Sequence, residues 1–145
     1  MNTESVEQYV GIGAIGLFTA LFGWLGWLIL LYAFCMVADV ASGTALAIKD
    51  RQWDSSKARA GLWKKCGSMT TVGVAALVDI LLGIIINVPG IKLPFEYTAL
   101  LCPIVVVWYI IAELGSILEN ADGMGAPIPA ALTNVLKKVK SIGDQ

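Results

Sequence analysis

Long apolar runs separated by short polar stretches dominate the chain. No charged residue occurs from Tyr9 to Ala38, whereas a helix needs only about 20 apolar residues to cross the hydrocarbon core. The run is therefore longer than one span requires. We divide it near Trp24, because tryptophan prefers the membrane interface. This division predicts an outer N-terminal apolar segment over residues 1–23 and a first transmembrane helix over residues 24–48.

The outer segment has two interpretations, and the sequence leaves both open. It is either the protruding first turns of one long tilted helix, or a separate helix at the lipid surface or between subunits. Gly23 and Gly26 offer a hinge between the segment and the first span, because glycine adopts backbone conformations that other residues avoid.

Residues 49–66 form a basic loop between the first two apolar runs. Six of the ten basic residues of the chain lie there, namely Lys49, Arg51, Lys57, Arg59, Lys64 and Lys65. Lysine and arginine favour the cytoplasmic side of a membrane. The loop is therefore predicted to be cytoplasmic.

The remaining pattern predicts two more spans and a tail. The second transmembrane helix covers residues 67–88, an outer loop covers 89–96, and the third helix covers 97–118. Residues 119–145 form a cytoplasmic tail, in which a short amphipathic helix follows Pro129. The lysines of this tail are expected to bind anionic headgroups. The fold class is thus an all-α integral membrane protein with three transmembrane helices, the N-terminus outside and the C-terminus inside, which assembles as a homo-oligomer.

Composition supports a multi-pass membrane protein. The chain is 57% hydrophobic and 14% charged, whereas soluble domains carry about 25% charged residues. Histidine is absent and the three cysteines lack zinc or redox spacing. We interpret the cysteines as small apolar core residues. We expect no cofactor, no metal, no enzymatic activity and no nucleic-acid partner.

Acidic residues in or beside the spans are the chemistry to explain. Such residues are costly in a membrane and usually functional. We see no base at membrane depth, so ion pairs within the membrane are not expected from this chain alone. The acids are predicted to line a hydrated path or a polar interface between subunits, with Ser116 beside them; they are Asp39, Asp79 and Glu113. In the alternative interpretation, Asp39 and Glu113 pair with bases of the loop.

Two further sets of residues complete the candidate site. Gly43 and Gly83 each follow a membrane carboxylate by one helical turn, and small residues allow helices to approach closely. They are predicted to serve helix packing. The predicted anchors at the inner face are Lys49, Arg51, Lys64, Lys65 and Glu119.

The order and spacing of these residues resemble the phage-lysis and toxin-secretion holin family, in particular the small three-span holins of the clostridial toxin-export type. The resemblance covers residues 39–136. Its elements are Asp39 with Gly43, Ala47-Ile48-Lys49, Ser55-Ser56, Gly61, Lys64 or Lys65, Asp79, Glu113, Ser116-Ile117-Leu118-Glu119-Asn120 and Gly125-Ala126-Pro127-Ile128-Pro129.

The resemblance implies a function. Holins oligomerise in the cytoplasmic membrane and abruptly permeabilise it. This releases an endolysin for host lysis or assists the secretion of a large toxin, and an antiholin is a further potential partner. We also expect Ser55 and Ser56 to cap the helix that leads into the second span. Glu119 and Asn120 are expected to fix the inner end of span three, with Glu119 near a basic residue of the loop.

Other functions remain as alternatives. A small proton-coupled transporter would use a membrane carboxylate that cycles protons. An accessory subunit of a larger complex, or an antiholin, would be inactive alone. A membrane enzyme is the weakest alternative, because nothing in the sequence positions a reaction.

Overall fold

The computed structural model describes residues 3–86 and 99–143. In these ranges the chain forms four helices, α1 (Thr3–Lys49), α2 (Ser55–Ile86), α3 (Leu101–Gly123) and α4 (Ala130–Gly143). Three segments are long and apolar enough to cross a membrane, namely Gly23–Lys49, Ser55–Ile86 and Leu101–Gly123. The prediction of an all-helical chain with three such helices is confirmed. Orientation in the membrane and oligomerisation stay predictions.

Some sequence-based expectations lie outside the described residues. They concern the outer loop over 89–96 and the span ends at 87–88 and 97–98. We call the end of the bundle that carries the α1–α2 turn the inner end, and the opposite end the outer end.

Gly23 divides α1 into two helical segments. Its backbone has φ 58° and ψ −158°, which is not helical, and this positive φ favours glycine. Trp27 Nε1 donates a hydrogen bond to Thr19 Oγ1 at 3.0 Å across the break. The Gly23 hinge makes residues 3–22 a helical segment distinct from the span.

The turn at the inner end is shorter than the predicted loop, because α2 begins at Ser55. Arg51 has φ 54°, and Gln52 N donates to Ala47 O at 2.9 Å, which is the Schellman pattern of a helix C-terminus. Asp54 then caps α2, since its Oδ1 accepts from Ser56 N at 2.8 Å. The prediction that Ser55 and Ser56 cap this helix is therefore wrong, because Asp54, the residue before them, supplies the acceptor. The bonds from Ser56 and Lys57 lower the pKa of Asp54 below its ordinary value.

Helix α3 is the centre of the bundle. It packs against both α1 and α2, whereas the backbones of α1 and α2 scarcely approach each other. The core where the three helices meet consists of Tyr32, Cys35, Met36, Val72, Ala75, Cys102, Val106 and Ile110. Cys35 and Cys102 are buried as expected, but Cys66 is exposed.

Asp79 fixes the outer end of α3 to α2. Its Oδ1 accepts from the backbone N–H of Leu100 at 3.2 Å and of Leu101 at 3.0 Å. Its Oδ2 accepts from Cys102 N at 2.7 Å, and Pro103 has no N–H to satisfy. One carboxylate thus serves the free N–H groups of the first turn, which a helix end cannot leave unpaired in an apolar surrounding. It also faces the positive end of the helix dipole.

We expect Asp79→Asn to destabilise the bundle. Asparagine replaces one of the two acceptor oxygens with an NH₂ group, which is a donor. The backbone N–H groups at the start of α3 are donors too, so at least one buried N–H loses its acceptor. Such a loss costs about 1–3 kcal/mol. Thermal unfolding of the purified protein in detergent, followed by circular dichroism, measures it.

Asp122→Asn is the matched control, because Asp122 is an exposed acid near the other end of the same helix. We expect a change within about 0.5 kcal/mol for it. Equal stability of the two variants would contradict the capping role of Asp79.

Candidate functional site

Polar side chains from all three spans meet near the inner end in what we call the inner cluster, which consists of Asp39, Ser42, Lys65, Glu113 and Asn120. Lys65 Nζ on α2 lies 2.9 Å from Asp39 Oδ2 on α1. The same ammonium donates to Glu113 Oε2 on α3. The three side chains retain only 11–16% exposure. One lysine therefore joins all three spans.

This pairing corrects the sequence analysis, which saw no base at membrane depth. Lys65 follows Ser55 by nearly three helical turns within α2, and its long aliphatic stem carries the charge into the bundle while burying apolar surface. The alternative interpretation, pairing with a basic residue, is the one that the structure shows for Asp39 and Glu113. The predicted surface anchor Lys65 is thus an internal partner.

Asn120 completes the cluster from α3. Its Nδ2 donates to Asp39 Oδ1 at 3.2 Å and to Ser42 Oγ at 3.0 Å. Gly43 lies beside this amide, where a Cβ would make an ordinary van der Waals contact with Asn120 Nδ2 at 3.5 Å. Gly83 differs, since a Cβ on it would meet nothing within 4 Å. Among the described residues, no buried side-chain polar atom lacks a hydrogen-bond partner.

Tyr32 and Ser68 add a layer of hydrogen bonds next to the cluster, toward the outer end. Their hydroxyls are 2.5 Å apart, and Ser68 Oγ also donates to Lys65 O at 2.8 Å. The Tyr32 ring stacks on Tyr109 with 5.9 Å between centroids. Sequence reasoning missed this pair. The sequence does contain a signal for the position of Ser68, because Ser68 follows Lys65 by three residues and so lies on the same helical face.

A cleft opens between α1 and α2 at the inner end, with a cavity volume of about 500 Å³. We call it the α1–α2 cleft. Asp39, Lys65, Ser116 and Asn120 reach it from the inner cluster and α3. Its other lining residues are Val40, Gly43, Thr44, Ala47, Gln52, Trp53, Asp54, Lys57, Ala58, Gly61 and Leu62. The cleft gives the polar cluster an open route to the inner end.

The remaining predicted site residues lie elsewhere. Lys49 Nζ donates to Gly123 O at 2.7 Å, so it binds the C-terminus of α3, where a cation is favourable. A Cβ on Gly123 would lie 2.9 Å from Leu46 Cδ2, which makes Gly123 a close-packing position. Lys64 and Glu119 are exposed. Asp79 belongs to the outer end and does not join the inner cluster.

The inner cluster links the three spans. In the described ranges, no group of three or more metal-ligating side chains could hold an ion. The groups that converge are an ammonium, two carboxylates, a hydroxyl and an amide. Lys65 bonds both carboxylates, and Asn120 bonds Asp39 and Ser42. Such a set can hold spans together, and it can contact water through the cleft.

Comparison with known proteins gives a consistent result. The model of the bacteriophage holin family matches residues 16–141. An uncharacterised protein of Halalkalibacterium halodurans is 31% identical over 110 residues, which cover 76% of this chain and 74% of that protein. An uncharacterised 14.9 kDa protein from the region 3′ of nagH in Clostridium perfringens is 30% identical over 142 residues, or 95% and 98% of the two chains.

No solved structure matches the chain. The family match covers most of the sequence, including all three candidate spans in full. By this extent of similarity, the chain belongs to the bacteriophage holin family.

Proposed function

We propose that the chain is a holin that oligomerises in the bacterial cytoplasmic membrane and permeabilises it. The lesion would release an endolysin for host lysis or assist the secretion of a large toxin, and an antiholin would regulate it. The observation that carries this proposal is the inner cluster. It brings together charged and amide side chains from the three spans. The exposed surfaces of these spans are largely apolar.

The cluster supplies the polar groups that an aqueous lesion needs. Three helices are too few to enclose a wide channel, so permeabilisation requires several copies. Since the backbones of α1 and α2 scarcely approach each other, we propose that assembly separates the two helices along the α1–α2 cleft. Asp39, Glu113 and Ser116 would then line the lumen or a polar contact between subunits, with the apolar faces toward lipid.

A proton-coupled transporter is the second candidate. Paired membrane carboxylates and a lysine beside an open cleft are also found in proton relays. The two functions differ in the size of the lesion, since a proton carrier passes no protein.

Induced expression in a bacterium tests the proposed function. Membrane potential and escape of a folded cytosolic reporter protein are followed together. We expect both to be lost suddenly after a quiet lag, because assembly has a threshold. Loss of potential alone would indicate a narrow pore or proton carrier. Retention of both at high membrane abundance would contradict the holin proposal and favour an antiholin or an accessory subunit.

Lys65→Gln is expected to shorten the lag before permeabilisation. Removing the ammonium leaves two carboxylates without their base, and breaking a partly buried pair in this way weakens the contact between spans. The lag is measured at equal membrane abundance, determined by immunoblot.

Lys64→Gln is the matched control, because it removes the same charge from the exposed neighbouring residue. We expect its lag to equal that of the unmodified protein. If both variants shift the lag equally, the effect belongs to surface charge and not to the inner cluster. Asp39→Asn, compared with Asp50→Asn in the turn, tests the carboxylate. Unchanged timing and oligomer size would show that Asp39 has no part in assembly.

A further inference from the structure

The α1–α2 cleft combines two chemistries along its length. Its walls are largely apolar or small, with Val40, Ala47, Ala58 and Leu62 among them. Its mouth is polar and carries Gln52, Trp53 and Lys57. At about 500 Å³ it falls within the range of roughly 300–1,000 Å³ that ligand pockets occupy. An occupant must therefore be amphiphilic.

The charge at the mouth favours an anion. The carboxylate of Asp54 also lines the cleft, where its Oδ1 accepts the N–H groups of Ser56 and Lys57 and the Lys57 ammonium attracts it. At the floor, Lys65 pairs with both Asp39 and Glu113. In the described part of the chain, no carboxylate lies within ion-pair distance of Lys57. Lys57 is thus available to an anionic ligand at the mouth, and residues 50–64 around it carry four bases and two acids.

The level of the cleft indicates where the ligand comes from. Trp53 is 54% exposed and Trp63 is 75% exposed on the same part of the chain, and tryptophan marks the membrane interface. Arg51 and Lys64 are exposed on the same segment of the chain, and basic groups next to a span attract anionic headgroups.

We propose that the α1–α2 cleft binds one anionic phospholipid of the inner leaflet. Its phosphate would meet Lys57 and the polar rim, and an acyl chain would lie along the apolar walls toward the inner cluster. The inference rests on the proposed function only for the orientation of the inner end toward the cytoplasm. Occupancy fills the space along which assembly would separate α1 from α2.

Native mass spectrometry of the purified full chain counts retained lipid directly. The protein is released from detergent after incubation with either phosphatidylglycerol or phosphatidylcholine at equal concentration. We expect one retained phosphatidylglycerol and little phosphatidylcholine. Lys57→Gln should lower the retention of phosphatidylglycerol roughly fivefold, the effect of one lysine near an anionic surface. Arg59→Gln is its control, because Arg59 is an exposed base on the same helix but does not line the cleft.

A second pair of variants tests the apolar walls. A Cβ on Gly61 or on Gly67 would meet nothing within 4 Å, so a side chain can begin at either position without a clash, but only Gly61 lines the cleft. Gly61→Leu should therefore displace the lipid, whereas Gly67→Leu should retain it.

Three results would overturn the proposal. The first is equal retention of phosphatidylglycerol and phosphatidylcholine. The second is an equal loss of retained phosphatidylglycerol in Lys57→Gln and in Arg59→Gln. The third is a Gly61→Leu variant that changes the subunit number but not the lipid count. The last would mean that a second copy of the chain occupies the cleft. Lipid count is independent of leakage, so this inference and the holin proposal can fail separately.

Discussion

Lipid offers no hydrogen bonds, and this constraint organises the whole bundle. A polar group inside a span must find its partner within the protein. At the inner end that partner is the ammonium of Lys65, which meets carboxylates from both other spans. At the outer end it is the Asp79 carboxylate, which meets the first N–H groups of α3. The apolar core lies between these two polar contacts.

These contacts connect the three pairs of helices unequally. Helix α3 is bound to α2 at the outer end by Asp79, and to α1 at the inner end by Asn120 and by the bond from Lys49 to Gly123. Between α1 and α2 the polar links are side-chain bonds, such as Lys65–Asp39 and Tyr32–Ser68. Among the three described spans, α1 and α2 are therefore the pair with the least close backbone packing.

The sequence predicts the helices well, since apolar runs of spanning length have few other solutions. It also singles out Asp39, Asp79 and Glu113. The sequence alone does not identify Lys65 as a partner of these acids, because the charge of Lys65 predicts an anchor at the inner face. Helical spacing instead places Lys65 in the stripe of α2 residues that faces the core. On α2 that stripe runs through Lys65, Ser68, Val72, Ala75 and Asp79. The bonds from Asp79 to the start of α3 join elements separated by the outer loop, so no local pattern indicates them.

The charge count of the inner cluster explains why a cleft must reach it. Two carboxylates face one ammonium, so with all three groups ionised the cluster carries one net negative charge. The amide of Asn120 stabilises Asp39, but an amide adds no charge. An open route to the inner end lets water share this excess charge, which a closed core would leave in a low dielectric. Whatever fills the α1–α2 cleft therefore changes the hydration of Asp39, and through Lys65 it changes the contact that joins the three spans.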